Sequence, residues 1–455
     1  MSSYRSIDPA TGALRGVRPE ATDAEVEAAL SSVHAGFEPW SRLPPAARAA
    51  PLRRLADVLR AHAEEDALRM SQEMGKPLTQ GRAEIEKCAH TVAWLADHGP
   101  GWLAPEVCPS DASYSAVRFD PLGPVLAIMP WNFPYWQVIR AGAPALLAGN
   151  PLILKHAPNV PDCARALVDR LRAAGIGPDL VVELAATVPQ TAAMIADDRV
   201  AAVTLTGSTR AGRAVASLAG QHLKPTVLEL GGSDPFIVLA DADLDQAVAI
   251  AAKARLQNNG QSCIAAKRFI VERSVAKRFV EQLAVAMSRY RLGDPTDPYS
   301  DVGPMAREDL RDELAAQVAA TLAAAGRAIV GGATPARDGW WYPPTLVEGA
   351  PLDAPMWTDE TFGPAGVVAV VDDAEAAVAL ANASRYGLGA ALWTADLDRA
   401  ADLAARLHVG SVFVNDLVRS DVRFPVGGVR WSGWGRELGP AGVRQLTNTK
   451  TVWMR

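Results

Sequence analysis

The sequence predicts an α/β fold with two parallel-sheet domains, and two observations carry that prediction. A chain of 455 residues is too long for one compact core, so two large domains and a smaller element are expected. Short apolar runs alternate with helical patterns from Pro124 onward, and the alternation restarts after Gly232. Each crossover back through a helix covers a face of the sheet, which makes the domain doubly wound and directs ligands to the carboxyl ends of its strands.

Along the chain, Ala-rich helical patterns fill the first hundred or so residues. Thr22 with Glu25 three positions later reads as a capping box, and further helices are expected near 46–65 and 77–98. Strands are expected at 125–128, 152–154, 181–184 and 203–205, then at 236–239, 269–272, 367–371 and 411–414. Two segments, 113–119 and 447–455, also read as strands but have little of their own to pair with. Either pairs with another subunit or extends one of the chain's own sheets. No repeat or low-complexity region is evident.

Hydrophobic residues make up 49% and charged residues 21%, with a formal net charge of -6, the profile of a soluble globular protein. Lys and Arg are scattered, so no patch points to a nucleic-acid or membrane partner, and a small ligand is expected. Residues 1–12 are polar with no basic stretch leading into an apolar run, so no secretory signal is read and a cytoplasmic location is expected. Cys88, Cys108, Cys163 and Cys263 are widely spaced, form no CxxC pair and have no companion His at metal-ligand spacing. Reduced thiols and no metal site follow.

A free cysteine is usually a small buried hydrophobe, which suits Cys88, Cys108 and Cys163. Cys263 stands instead in Gln257-Asn258-Asn259-Gly260-Gln261-Ser262-Cys263, whose amides and hydroxyl offer donors to a thiolate and a developing oxyanion. Glu229 interrupts the end of an apolar strand before Gly231-Gly232. A solvated strand end is the ordinary explanation, but the glycines allow close approach of a ligand, and burial would raise the carboxyl toward a general base. Asn132, in Pro130-Trp131-Asn132-Phe133-Pro134, reads either as a turn residue or as an oxyanion donor. Lys155 after its strand, and Gly207-Ser208 at the start of a helix, are placed to hold a dinucleotide. No GxGxxG fingerprint accompanies them.

Taken together, these segments resemble the aldehyde dehydrogenase family from Asp8-Pro9 to Lys450-Thr451-Val452-Trp453. Besides the Cys263, Glu229 and Asn132 segments, the likeness includes Glu360-Thr361-Phe362-Gly363-Pro364, Tyr386-Gly387-Leu388, and the run from Pro425 to Glu437. The resemblance implies a Rossmann-type cofactor domain (1–102 and 122–231), an α/β catalytic domain (232–430), a return segment (431–446), and a small β oligomerisation element (103–121 and 447–455). A homodimer or homotetramer would follow. It also implies that Cys263 attacks an aldehyde, that Asn132 and the Cys263 amide hold the oxyanion, and that Glu229 activates water against the thioester. Glu437 is a secondary candidate for proton relay. Lys155 would hold the adenosine ribose, Gly207 and Ser208 the pyrophosphate, and Glu360 the nicotinamide ribose, with Trp131, Leu230 and Phe362 also lining the cofactor site.

Coenzyme and substrate rest on departures from the family pattern. NAD-preferring members often carry a glutamate where this chain has Pro158, so no carboxylate repels a 2′-phosphate, and NADP is expected to serve at least as well as NAD. Arg140 occupies a position where many relatives have an aromatic residue, and there it would clamp a distal carboxylate. Gln257 stands where some relatives place a second arginine; Arg419 and Ser420 are expected to supply the missing contacts, and Trp431 and Trp434 to add bulk nearby. The likeness is greatest to the bacterial succinate-semialdehyde dehydrogenases. Oxidation of a broader aliphatic or aromatic aldehyde is the alternative. A noncatalytic binding member and a CoA-acylating relative are the other readings, opposed by the intact Cys263, Glu229 and Asn132 and by Glu229 alone, respectively.

Overall fold

A computed structural model describes residues 4–455. Its first large sheet has six strands in the spatial order Gly433–Trp434, Thr226–Glu229, Ala202–Thr206, Val125–Ile128, Leu152–Lys155, Val181–Glu183. All neighbours are parallel except the short Gly433–Trp434, which runs antiparallel to Thr226–Glu229. The chain therefore starts at a central strand, winds outward one way, and returns to wind the other way from Ala202–Thr206. The gap between Val125–Ile128 and Ala202–Thr206 is the switch point, and the loops leaving their carboxyl ends carry Asn132 and Ser208.

The second sheet has seven strands in the order Arg327–Val330, Thr345–Glu348, Ala365–Val371, Ala266–Glu272, Asp234–Val238, Gly389–Trp393, Ser411–Val414. Only the edge strand Arg327–Val330 is antiparallel. Apolar clusters cover both faces of each sheet, as parallel sheets require. Three strands of this sheet escaped the sequence reading: Arg327–Val330, Thr345–Glu348 and Gly389–Trp393. The last opens on Gly-Ala-Ala, and its assignment depends on parallel neighbours on both sides. An N-terminal hairpin of Tyr4–Ile7 and Leu14–Arg18 was also unforeseen.

Thr22 and Glu25 form the expected reciprocal cap of helix Asp23–Ser41. The helix expected at 46–65 is divided at His62 into Pro45–Ala61 and Ala63–Met74. The two segments that lacked evident partners pair with each other: Tyr114–Pro121 runs antiparallel to Thr447–Met454 along the whole length of both, and Glu106–Val107 adds a short third strand. Pairing at this sequence distance leaves no local trace. Among the described residues no helix is long and apolar enough to cross a membrane.

The two sheets meet end to end. Asn132 and Glu229 lie at carboxyl ends of the first, while Cys263 and Glu360 precede Ala266–Glu272 and Ala365–Val371, at amino ends of the second.

Candidate active site

Cys263 follows a single 3-10 turn, Gln257–Gly260, that ends helix Leu244–Leu256. Asn258 (φ 58) and Asn259 (φ 56) hold left-handed conformations in that turn, which Asn tolerates best among residues with a Cβ. Their side chains secure the strain. Asn258 Nδ2 donates to the carbonyls of Asn132 (2.8 Å) and Gln261 (3.0 Å), and Asn259 Nδ2 to those of Gly75 (2.8 Å) and Pro304 (2.9 Å). Gly260 is required as glycine: φ is +70° and a Cβ would stand 2.3 Å from the Gly363 carbonyl. Lys267 Nζ donates to the carbonyl oxygens of Cys263 (2.6 Å) and Ser262 (3.0 Å), fixing the loop from beneath.

Burial pushes the Cys263 thiol up to about 11, against the pull of the Arg140 and Lys267 cations. The donor-rich loop thus positions the sulfur without making it a resting thiolate; the proton must leave to a base. Asn132 is buried between Val125–Ile128 and helix Trp136–Ala148. Its Nδ2 donates to the Gln261 carbonyl (3.0 Å), which uses one of two amide hydrogens and ties Asn132 to the cysteine loop.

Glu229 is 3% exposed and Glu437 4%. Between them lies the buried Arg140, with Nη2 3.6 Å from Glu229 Oε2 and Nε paired to Glu437. Nη2 also donates to Thr206 Oγ1 (3.3 Å). Burial raises the Glu229 carboxyl, Arg140 opposes the rise and the Glu437 charge adds to it; burial raises Glu437 as well. Glu229 Oε1 has no hydrogen-bond partner among the described residues, so one buried acceptor remains for water or a proton. Arg140 lines the cavity beside Cys263, as the expected clamp requires, but it also meets acids of the chain itself. Its Nε and Nη2 are committed to the protein's own carboxylates.

The expected cofactor residues gather around the switch point. Lys155 is half-buried with no ion pair among the described residues; its Nζ lies 5.7 Å from the Tyr4 ring centroid, and burial lowers its pKa. The Pro158 carbonyl accepts from Arg5 N–H (3.0 Å). Ser208 caps helix Thr209–Gln221 by accepting from Ala211 N–H. Gly207 departs from its expected role: its N–H already donates to the Glu229 carbonyl (2.9 Å), so it has no amide left for a pyrophosphate. Glu360 accepts from Gly232 N–H (3.0 Å) and lies 3.7 Å from Lys267 Nζ. Phe362 meets Trp131 edge-on, centroids 5.7 Å apart, and Leu230 is buried over Gly212, where a Cβ would meet it at 2.5 Å. An unpaired cation, a capped helix start and a half-buried carboxylate suit a dinucleotide.

A cavity of about 340 Å³ reaches Cys263, lined among others by Arg140, Trp136, Lys87, Arg419 and Ser420. Arg419 pairs with Asp416 at 3.0 Å with 57% of its side chain exposed, and Ser420 Oγ accepts from Lys87 Nζ at 2.8 Å. Trp431 and Trp434, expected to add bulk here, do not line the cavity. Trp431 packs between the guanidinium groups of Arg213 (4.1 Å) and Arg385 (4.7 Å), and Trp434 Nε1 donates to Thr226 Oγ1 (3.0 Å).

The model of the aldehyde dehydrogenase family matches residues 1–452. The chain belongs to the aldehyde dehydrogenase family. Within it, a succinate semialdehyde dehydrogenase [NAD(P)+] of Escherichia coli (strain K12) is 46% identical over 98% of this chain and 97% of that protein. A succinate-semialdehyde dehydrogenase [NADP(+)] of Mycobacterium tuberculosis (strain H37Rv) is 45% identical over 99% of each chain. The crystal structure of succinic semialdehyde dehydrogenase from Streptococcus pyogenes in complex with NADP+ superposes with a TM-score of 0.97 at 33% identity, covering 99% of both chains. The fold is that of the aldehyde dehydrogenases. In this member of the family, sequence reasoning missed Lys267 beneath the cysteine loop and Lys87 in the cavity. Lys267 stands four residues after Cys263 and could have been weighed; Lys87 sits in an ordinary amphipathic helix pattern that carries no such signal.

Proposed function

We propose that this aldehyde dehydrogenase oxidises succinate semialdehyde, or another short aldehyde ending in a carboxylate, to the acid, with NADP used at least as well as NAD. The reading is supported by Cys263 lining the 340 Å³ cavity, by the Asn132 amide bonded to the Gln261 carbonyl in the cysteine loop, and by the Glu229 charge acting on the Cys263 thiol. The succinate-semialdehyde names of relatives at 45–46% identity support the substrate, and Pro158 supports the coenzyme, since no carboxylate there repels a 2′-phosphate.

In this reading Cys263 Sγ gives up its proton to Glu229, whose raised affinity for a proton suits that exchange, and attacks the aldehyde carbon. The oxyanion is met by the spare Asn132 Nδ2 hydrogen and the Cys263 N–H. When bound, the oxidised nicotinamide supplies the hydride acceptor; Lys155, Ser208 and Glu360 hold and orient the dinucleotide. Glu229, once it has passed its proton on, activates water against the Cys263 thioester, and Arg140 holds Glu229 and Glu437 in register. The enzyme works in the cytoplasm as a homodimer or homotetramer built on the Tyr114–Pro121 and Thr447–Met454 sheet, whose Trp453 (48%) and Met454 (49%) are exposed.

Burst titration of NAD(P)H with a panel of aldehydes tests the reading. A burst of about one equivalent per active site, abolished by Cys263→Ser, with kcat/KM higher for succinate semialdehyde than for butanal, is expected. Absence of a burst with every aldehyde would overturn the enzyme, and equal kcat/KM for the two would overturn the substrate class.

A further inference from the structure

Lys267 is an ammonium within the strand Ala266–Glu272 that is 0% exposed. It lies behind the cysteine loop, whereas Ser262 and Cys263 themselves line the cavity. A lysine taken wholly out of water is costly unless its donors are used. The carboxylate beside it, Glu360, stands 3.7 Å away and already accepts from Gly232 N–H at 3.0 Å. Burial lowers the Lys267 pKa, and the Glu360 and Asp234 charges oppose the fall. The hydrogen bonds of Lys267 go instead to main-chain carbonyls: Cys263 at 2.6 Å, Ser262 at 3.0 Å and, more distantly, Ala265 at 3.5 Å.

Those contacts decide which way the catalytic peptide faces. The Ser262 carbonyl and the Cys263 N–H belong to one planar trans unit, so they point in opposite directions. Ser262 O is held twice, by Lys267 Nζ and by Ala265 N–H at 3.2 Å. Cys263 O is lodged between Lys267 and Gly232, where a Cβ would stand 2.7 Å from it. With both carbonyls drawn inward, the Cys263 N–H is directed away from Lys267, to the side of the loop that faces the cavity. Among the described residues that N–H makes no hydrogen bond to the protein, so it is free to meet a ligand. Aim matters as much as freedom: an oxyanion donor acts from about 2.7–3.1 Å, and a displacement of about 1 Å costs about 10²-fold.

We infer that Lys267 is a positioning residue for the oxyanion site: by holding the Ser262 and Cys263 carbonyls behind the loop, it aims the Cys263 N–H at the oxygen on which charge develops. This rests on the proposed attack of Cys263 on a carbonyl carbon. Asn132 supplies the other donor from the first sheet, so the two halves of the site are set by separate elements, and Lys267 governs only the main-chain half.

The test compares two reactions of the Cys263 sulfur in the full-length protein without coenzyme, each corrected with Cys263→Ser. With p-nitrophenyl acetate the Sγ–C bond forms through a tetrahedral oxyanion and p-nitrophenolate leaves. With iodoacetamide the sulfur displaces iodide from a CH₂ group and no oxyanion forms. Both rates scale with the fraction of thiolate, so their ratio at one pH is blind to the thiol pKa and to a general loosening of the loop. Lys267→Met is expected to lower the ratio of acylation to alkylation about 10- to 100-fold. Lys267→Gln keeps an uncharged donor on a side chain one bond shorter, which cannot bridge both carbonyls; it is expected to lower the ratio about 3- to 10-fold and carries the test if Lys267→Met does not fold. Asn132→Ala, which removes the other donor, is expected to lower the ratio about 10²- to 10³-fold. An unchanged ratio in Lys267→Met, or in Lys267→Gln where Lys267→Met does not fold, overturns the role of Lys267 when Asn132→Ala still lowers it. Equal loss of both rates is such an outcome, because a merely structural lysine would behave so. An unchanged ratio in Asn132→Ala overturns the oxyanion site itself and this inference with it.

Discussion

Replacing Arg140 by Met separates what the fold makes of this residue from what its sequence position suggests. A clamp on the substrate would raise KM for succinate semialdehyde and spare butanal. The structure instead has the guanidinium between two buried carboxylates, Glu229 and Glu437, so its removal leaves two desolvated acids without a cation. Breaking a buried pair in this way costs about 3–5 kcal/mol. Protonation caps the loss: a carboxyl with an ordinary pKa of 4.5 takes up a proton at pH 7 at a cost of about 3 kcal/mol, from about 1.36 kcal/mol per unit. The sign follows from linkage. Glu229 has a folded pKa above its unfolded value, so its contribution is fully present below about pH 4.5 and is lost as pH rises through the folded value; without Arg140 that value rises further. Arg140→Met should therefore be destabilised by about 3 kcal/mol or more near pH 8 and much less near pH 5. Its kcat should fall for both aldehydes, with the acid limb of the pH profile moved to higher pH. Urea denaturation at the two pH values and kcat profiles with butanal and succinate semialdehyde provide the measurement. A KM effect confined to succinate semialdehyde, with stability and pH limb unmoved, would refute the reasoning and restore the clamp.

Two further outcomes follow from the same geometry. Glu229→Gln should slow but retain a burst of about one equivalent per site while steady-state turnover falls about 10²- to 10⁴-fold, as read by stopped-flow NAD(P)H absorbance; unchanged turnover would assign the water to another base. Pro158→Glu should raise KM for NADP at least about tenfold more than KM for NAD, because a carboxylate near the ribose of a phosphorylated coenzyme is a like-charge contact; parallel changes in the two constants would place the 2′-position elsewhere.

Cys263, Asn132 and Glu229 were legible because each breaks a local expectation: a cysteine among amides, an amide in a Pro-bracketed turn, an acid ending an apolar strand. Helix caps such as Thr22 with Glu25 were legible for the same reason, since their partners are three residues apart. Gly389–Trp393 was not, because its Gly-Ala-Ala start carries little strand signal of its own and its parallel neighbours on both sides decide it.

By itself, then, the sequence determined the alternating α/β order, the family and the three residues expected to do the chemistry, all of which are written in short contiguous motifs. Only the tertiary structure decided which partner each charge finds. Arg140 meets Glu437 across the whole catalytic half of the chain, the Gly207 amide is consumed by the Glu229 carbonyl, the tail strand pairs with Tyr114–Pro121, and Lys87 reaches Ser420 with no acid beside it. A buried charge is governed by its neighbours in space, and local sequence carries no record of them.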